Sequence, residues 1–223
     1  MLDPTQTAEP AETSVRRRRT DGELTAKRVL DAAAECILQL GYYQASSNEI
    51  ARRAGVTWGV IQHQFGTREG LLLAVLNDRW AAMEAHMASA DVSADTLEER
   101  LTHVFEVLEA HYGAPEHLVQ LQILLDLSHN PKTSAEARRG VMAHGQKLSR
   151  AWVPLFESAL GEAARETDLV RYAFLTLRGY LQGGIISAHI ADKPDDTVPR
   201  RLLIEGVAAS IRNEAERRGV PIN

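Results

Sequence analysis

Cysteine occurs once in this chain, aromatic residues make up 5% of it, and no apolar run is long enough to span a bilayer. A single thiol, Cys36, excludes an intrachain disulfide framework; beside Ile37 on an apolar stripe it reads as a packed side chain. The N-terminus is polar and proline-containing with no hydrophobic signal core, so a soluble, cytoplasmic protein is expected. Alternating β-branched runs are scarce, which argues against sheet. There is no glycine-rich phosphate loop, no GxSxG elbow and no paired cysteine. The eight histidines form no HxxxH or HExxH pair, and His103, His111, His117, His129, His144 and His189 look scattered, each readable as a polar tip. Nothing local points to an enzyme, a metal site or a cofactor.

What is present is helical. Of the 223 residues 44% are hydrophobic, enough for substantial cores, and most segments carry three-four spacing, so an all-α fold is expected. Charge is unevenly distributed. Residues 14–70 carry nine Lys/Arg against six Asp/Glu, while the whole chain is −5, leaving −8 for the rest. A mildly basic head can approach phosphate while an acidic body is repelled from it. The expected division is a disordered arm over 1–20 ending in Arg16-Arg17-Arg18-Arg19, a head domain over 21–68, and a body domain over 69–223. The arginine run is either a solvated charge cluster or an arm on DNA.

Ser46–Leu72 carries most of the information. Ser46 and Glu49 have capping-box spacing, Ile50, Ala51 and Ala54 give a narrow apolar face, and Gly55 stands where a helix end wants positive φ. Thr57 can cap a second short helix from about Trp58 to Phe65, with Ile61 and Phe65 inward. Two such helices need a larger platform, and the expected one is a helix from Leu24 to about Leu40, stopped by Gly41. A compact pair with its second helix presented outward is the arrangement that places side chains in the DNA major groove.

The same residues resemble the TetR family of transcriptional regulators. The resemblance covers about Thr25 to Trp80 and rests on Gly41-Tyr42, then Ile50-Ala51-Arg52-Arg53-Ala54-Gly55-Val56-Thr57-Trp58-Gly59, then Phe65, and Thr67-Arg68-Glu69-Gly70-Leu71. Where the family usually has Leu-Tyr-aromatic-His-Phe, this chain has Ile61-Gln62-His63-Gln64-Phe65. The resemblance implies a three-helix N-terminal DNA-binding domain and a C-terminal helical bundle that dimerises. It implies binding to a palindromic double-stranded operator, as a repressor in the first instance, with affinity changed by a small molecule held in the body. Candidate DNA contacts are Ser47, Gln64, Thr67 and Arg68 on phosphates and Trp58, Gln62 and His63 on bases or sugars, with Thr57 and Arg52 as further candidates.

In the body, five more helices are expected: Asp95–Tyr112, Pro115–His129, one from Thr133 to about Leu160 kinked at Pro154, Asp168–Ile190 and Pro199–Arg218. The second is apolar enough to be buried on most sides. The last two carry apolar surface suited to a homodimer, through Tyr172, Leu175, Leu177, Tyr180, Leu181 and Ile185, then Leu202, Leu203, Val207, Ala208 and Ile211; closing a monomeric core is the competing reading. Candidate ligand-lining residues are Met87, Phe105, Leu108, Tyr112, Leu121, Leu125, Trp152, Phe156, Phe174 and Leu177, each better explained singly as core, plus Asp126, charged within an apolar run and suited to a cationic ligand group or to an arginine such as Arg178. Low aromatic content favours an elongated apolar ligand over an aromatic cage. A platform regulated by a protein partner without an internal pocket, and an all-helical enzyme, are the alternatives from other classes.

Overall fold

In the computed structural model the backbone is described for residues 9–191 and 195–222, and side chains from Thr20 onward within those spans except Ser149. Every regular element among the described residues is helical: α1 Glu9–Leu40, α2 Ser47–Ala54, α3 Trp58–Phe65, α4 Arg68–Ala88, α5 Leu97–Tyr112, α6 Glu116–His129, α7 Ala135–Ala151, α8 Val153–Leu160, a short 3-10 helix at Gly161–Arg165, α9 Thr167–Ile190 and α10 Thr197–Arg218. The expected all-α architecture, with an N-terminal helix-turn-helix unit and a C-terminal helical unit, is what the chain adopts. None of these helices is long and apolar enough to cross a membrane.

Two compact units divide the chain, Met1–Val75 and Leu76–Asn223. The boundary lies inside α4 instead of at its start, because Leu71, Leu72 and Val75 are fully buried along with the first unit's other apolar residues. Those are Val29, Ala33, Cys36 and Ile37 from α1, Ala45, Ile50 from α2 and Ile61 from α3, all without exposed surface. The Cys36 thiol is thus packed, and burial pushes its pKa up, keeping it protonated and inert. α1 begins at Glu9, not Leu24, so the helix takes in residues 9–20 of the expected arm. The side chains of Arg16 to Arg19 and all of residues 1–8 lie outside the described part.

The second unit is organised around α5. Its buried stripe of Leu97, Leu101, Val104, Phe105 and Leu108 meets α8, α9 and α10, which contribute Leu155 and Phe156, Leu169, Ala173, Leu177 and Leu181, and Ile204, Val207 and Ile211. α5 opens with a complete capping box: Thr96 Oγ1 accepts from the Glu99 amide (3.2 Å) and the Glu99 carboxylate from the Thr96 amide (3.0 Å). Pro154 does more than kink one long helix. α7 ends at Ala151, Trp152 serves as the junction, and Pro154 falls in the first turn of α8, where its missing N–H would have no intrahelical acceptor. Among the described residues the body therefore has six α-helices after α4 where five helices were expected. α10 is fastened to the start of α9 by Arg218, which reaches Glu166 (2.7 Å) and Asp168 (2.7 Å) as well as Glu214 (2.8 Å).

Candidate functional site

The helix pair is held by polar contacts that leave one row of α3 free. Ser46 caps α2 by accepting from the Glu49 amide (3.2 Å), but the capping box is only half made. The Glu49 carboxylate turns to Arg52, in a bidentate pair of 2.8 and 2.7 Å, and to Arg53 (2.8 Å). Hydrogen bonds from these two guanidinium groups hold the Glu49 pKa down at about 2. Arg53 also donates to Gln39 (2.7 Å), tying α2 to α1. Gly55, at φ 66°, sends its N–H to the carbonyls of Ala51 and Arg52, and Val56 donates to Ala51 (3.0 Å), so the turn closes in a left-handed cap that L side chains adopt at a cost.

On α3, Ile61 is fully buried and Phe65 half-buried, and Trp58 shares their stripe and is half-buried too. Gln62, His63 and Gln64 are exposed, as is Thr57, whose side chain makes no cap hydrogen bond although it occupies the N-cap position. Gln64 donates to the Gly22 carbonyl of α1 (3.0 Å), which commits its amide to the platform. Ser47 is half-buried at the first position of α2, and Arg52 is exposed but engaged by Glu49. Thr67 caps α4, accepting from the Gly70 amide (3.0 Å).

Arg68, expected on phosphate, is engaged within the unit. Its guanidinium donates to the carbonyls of Ala45 (2.6 Å) and Tyr42 (3.2 Å) and lies over the Tyr42 ring. It pins the α1–α2 loop to α4. Gly70 is a further requirement that sequence reasoning passed over, since a Cβ there would stand 2.2 Å from the Phe65 carbonyl oxygen. The outward residues that hold no partner inside the unit are thus concentrated at Thr57, Gln62 and His63.

In the second unit a cavity of about 430 Å³ opens along α8 and α9. Of the expected lining residues it brings together Trp152, Phe156 and Phe174; those that sequence reasoning missed include Val153, Glu157, Thr167, Val170, Arg171, Leu175 and Arg178. Phe105, Leu108, Tyr112 and Leu177 are sealed in the core, and Met87 packs partly against it. α6 was misjudged. His117, Gln120, Ile123 and Leu127 form its buried stripe, which turns Leu121 and Asp126 to half-buried positions and leaves Leu125 59% exposed. The Asp126 carboxylate lies 3.5 Å from the Asn130 amide and does not reach the cavity.

The histidines are less scattered than the sequence suggests. His111, His117 and His144 are all buried, with His111 and His117 rings 5.2 Å apart and Trp80 6.2 and 6.3 Å from His111 and His144. Burial first, and then neighbouring positive charge, lowers His111 to about 4 and His117 to about 3, so both are neutral near pH 7. Gln182 shares a 3.0 Å contact with the His117 Nε2. Among the described residues no group of three His, Cys, Asp or Glu side chains could hold a metal ion. The cluster acts as a polar patch within aromatic packing.

The outer face of α9 exposes Tyr172, Leu175, Ile186 and Ile190, and α10 adds Val198 and Leu202. Gly179 and Gly183 fall on that α9 face, and a Cβ at either would meet nothing within 4 Å. Leu177, Leu181, Val207, Ala208 and Ile211, expected on the same surface, face the chain's own core instead.

These features agree with what similarity to known proteins provides. Residues 29–75 match the model of "Bacterial regulatory proteins, tetR family". The HTH-type transcriptional regulator BetI of Escherichia coli is 42% identical over 52 residues, 23% of this chain and 27% of BetI. The match thus spans about a quarter of that relative's length. In overall fold the chain is similar to the transcriptional regulator FadR from Bacillus subtilis, solved with stearoyl-CoA, at 18% identity and a TM-score of 0.57, covering 83% of this chain and 96% of FadR. It is similar also to the multidrug binding protein EbrR, solved with ethidium, at 19% identity and a TM-score of 0.55, covering 82% and 98%. The helix-turn-helix unit, matched from Val29 to Val75, is thus a domain of the tetR family of bacterial regulatory proteins.

Proposed function

We propose that the chain is a ligand-responsive repressor that binds a palindromic operator as a homodimer and changes affinity when a small apolar molecule enters the C-terminal unit. The observation that carries this reading is the outer row of α3. A helix whose inner stripe is buried, whose ends are pinned to its neighbours and whose Gln62 and His63 remain exposed is suited to present those two side chains to base edges. Thr57, Ser47 and the capped start of α4 at Thr67 would then position the unit on phosphates. Arg52 can contribute only by sharing its charge with Glu49, and Arg68 by holding the loop.

Dimerisation supplies what one unit lacks. A single helix-turn-helix contacts too few bases for tight specific binding, and two-fold symmetry pairs two half-sites. The α9–α10 face is the natural interface, because its apolar side chains and its two glycines serve no packing purpose within the chain. The cavity along α8 and α9 is the effector site in this scheme. FadR and EbrR, solved with stearoyl-CoA and ethidium, support a ligand role for this fold without naming this chain's ligand. An effector must bind one conformation better than another, and a coupling of about 1–3 kcal/mol suffices.

The test is selection of random duplex DNA on the purified full chain. Recovery of a palindrome whose binding weakens steeply with salt is expected, with Gln62→Ala and His63→Ala altering sequence preference more than the salt slope. A folded dimer that selects nothing at low salt would remove the DNA-binding reading.

A further inference from the structure

The cavity along α8 and α9 has a single half-buried cation, Arg178, among its lining residues. Its walls are apolar and aromatic, chiefly Trp152, Phe156, Val170 and Phe174, and its charged members are Arg178, Arg171 and Glu157. Arg171 and Glu157 are exposed, whereas Arg178 is half-buried with its guanidinium over the Phe174 ring, 5.0 Å from the centroid. Among the described residues no carboxylate pairs with Arg178. Its Nε–H is buried without an acceptor, and so is the indole Nε1–H of Trp152. The Tyr112 hydroxyl beside them is buried and likewise lacks a well-formed hydrogen bond; burial pushes its pKa up to about 12, against the pull of Arg178 and Trp152.

Buried donors left unsatisfied are costly, and more so on a charged group. Of these three residues Arg178 and Trp152 line the open apolar cavity, where a ligand can supply an acceptor. A ligand ammonium would meet an unpaired guanidinium and N–H donors, and a purely apolar ligand would bury them further. A carboxylate suits the planar fork of an arginine, and one negative charge matches one half-buried cation with Glu157 nearby.

We propose that this cavity takes a hydrophobic monocarboxylate, its apolar body against Trp152, Phe156 and Phe174 and its carboxylate accepting hydrogen bonds from Arg178. The assignment rests on reading the cavity as the effector site. Its volume lies within the roughly 300–1,000 Å³ common for small-molecule sites, and either an aromatic or an aliphatic acid satisfies the same chemistry. Arg178 thereby selects among ligands of equal hydrophobicity.

The experiment is titration of the full chain, followed by calorimetry and tryptophan fluorescence, with 2-naphthoate and dodecanoate, each against its amide and the amine of the same skeleton. At least one carboxylate is expected to bind ~10-fold or more tightly than its amide, on the strength of a charge-assisted pair. Arg178→Gln should erase that ratio, and Arg178→Lys should restore part of it. Equal affinity for acid and amide, preference for the amine, retention of the ratio in R178Q, or no binding of either skeleton overturns the proposal. Should R178Q fail to fold, the wild-type ratio and R178K decide. Operator affinity measured with bound acid separates the two readings. An Arg178-dependent preference with unchanged DNA binding upholds the anion site and removes its effector role.

Discussion

Arg68 occupies the first turn of α4, where its side chain has a choice between a phosphate outside and the loop carbonyls inside. The structure resolves the choice inward: two charge-assisted hydrogen bonds and a ring contact bind it to Ala45 and Tyr42. Removing a half-buried donor from two carbonyls costs their desolvation, about 1–3 kcal/mol. Arg68→Ala is therefore expected to lower the thermal midpoint of the first unit and to weaken DNA binding only through unfolding. The measurement is the salt slope of operator binding well below the melting midpoint, which should stay that of the wild type. A slope reduced by about one would restore the phosphate role. The sequence could not decide this, because a motif fixes which residue stands at a position but not which way a long side chain turns.

At the scale of elements, legibility followed the presence of local, directional signals. The α2–α3 pair was readable because Ser46, Gly55 and the Ile61/Phe65 spacing each act within one turn and agree with one another. α6 was not. Its run from Leu118 to Leu125 has apolar residues on every side, so no period marked the inward stripe, which proved to be carried in part by His117 and Gln120. Pro154 was recognised as disruptive, yet whether it kinks a helix or opens a new one depends on the tertiary pull of Trp152 into the core. The cavity was only partly legible for a similar reason: Trp152, Phe156 and Phe174 are conspicuous in sequence, whereas Arg178 becomes a lining residue only when α9 is set against α8. The α9–α10 surface yields a prediction at this scale. Ile190→Glu and Leu202→Glu, both on exposed positions, should shift the chain towards monomer in sedimentation and leave its helical content intact. Leu177→Ala, in the core, should instead cost about 2–5 kcal/mol of stability. An I190E/L202E chain that remains dimeric would locate the interface elsewhere.

The whole molecule carries a pH dependence whose sign follows from its buried histidines. Folding lowers His111 from 6.5 to about 4 and His117 from 6.5 to about 3, chiefly through burial. Between those values and 6.5 the unfolded chain binds protons that the folded chain refuses. Stability is thus fully present above about pH 6.5 and declines as pH falls through that window. Each histidine contributes about 2 kcal/mol of loss between pH 7.5 and pH 5, taken singly, and coupling between the two rings makes the sum approximate. Paired carboxylates do not confound this range. Glu49, held near 2 by its arginines, loses its contribution only as pH drops below the ordinary 4.5 and towards 2. Denaturant unfolding at intervals from pH 7.5 to 5 should therefore show falling stability in the wild type. In the double variant His111→Gln/His117→Gln the slope, whatever its absolute stability, should be markedly flatter. An unchanged slope would mean that these imidazoles take up protons in the folded chain, and that the aromatic cluster around Trp80 and Trp152 admits water or charge.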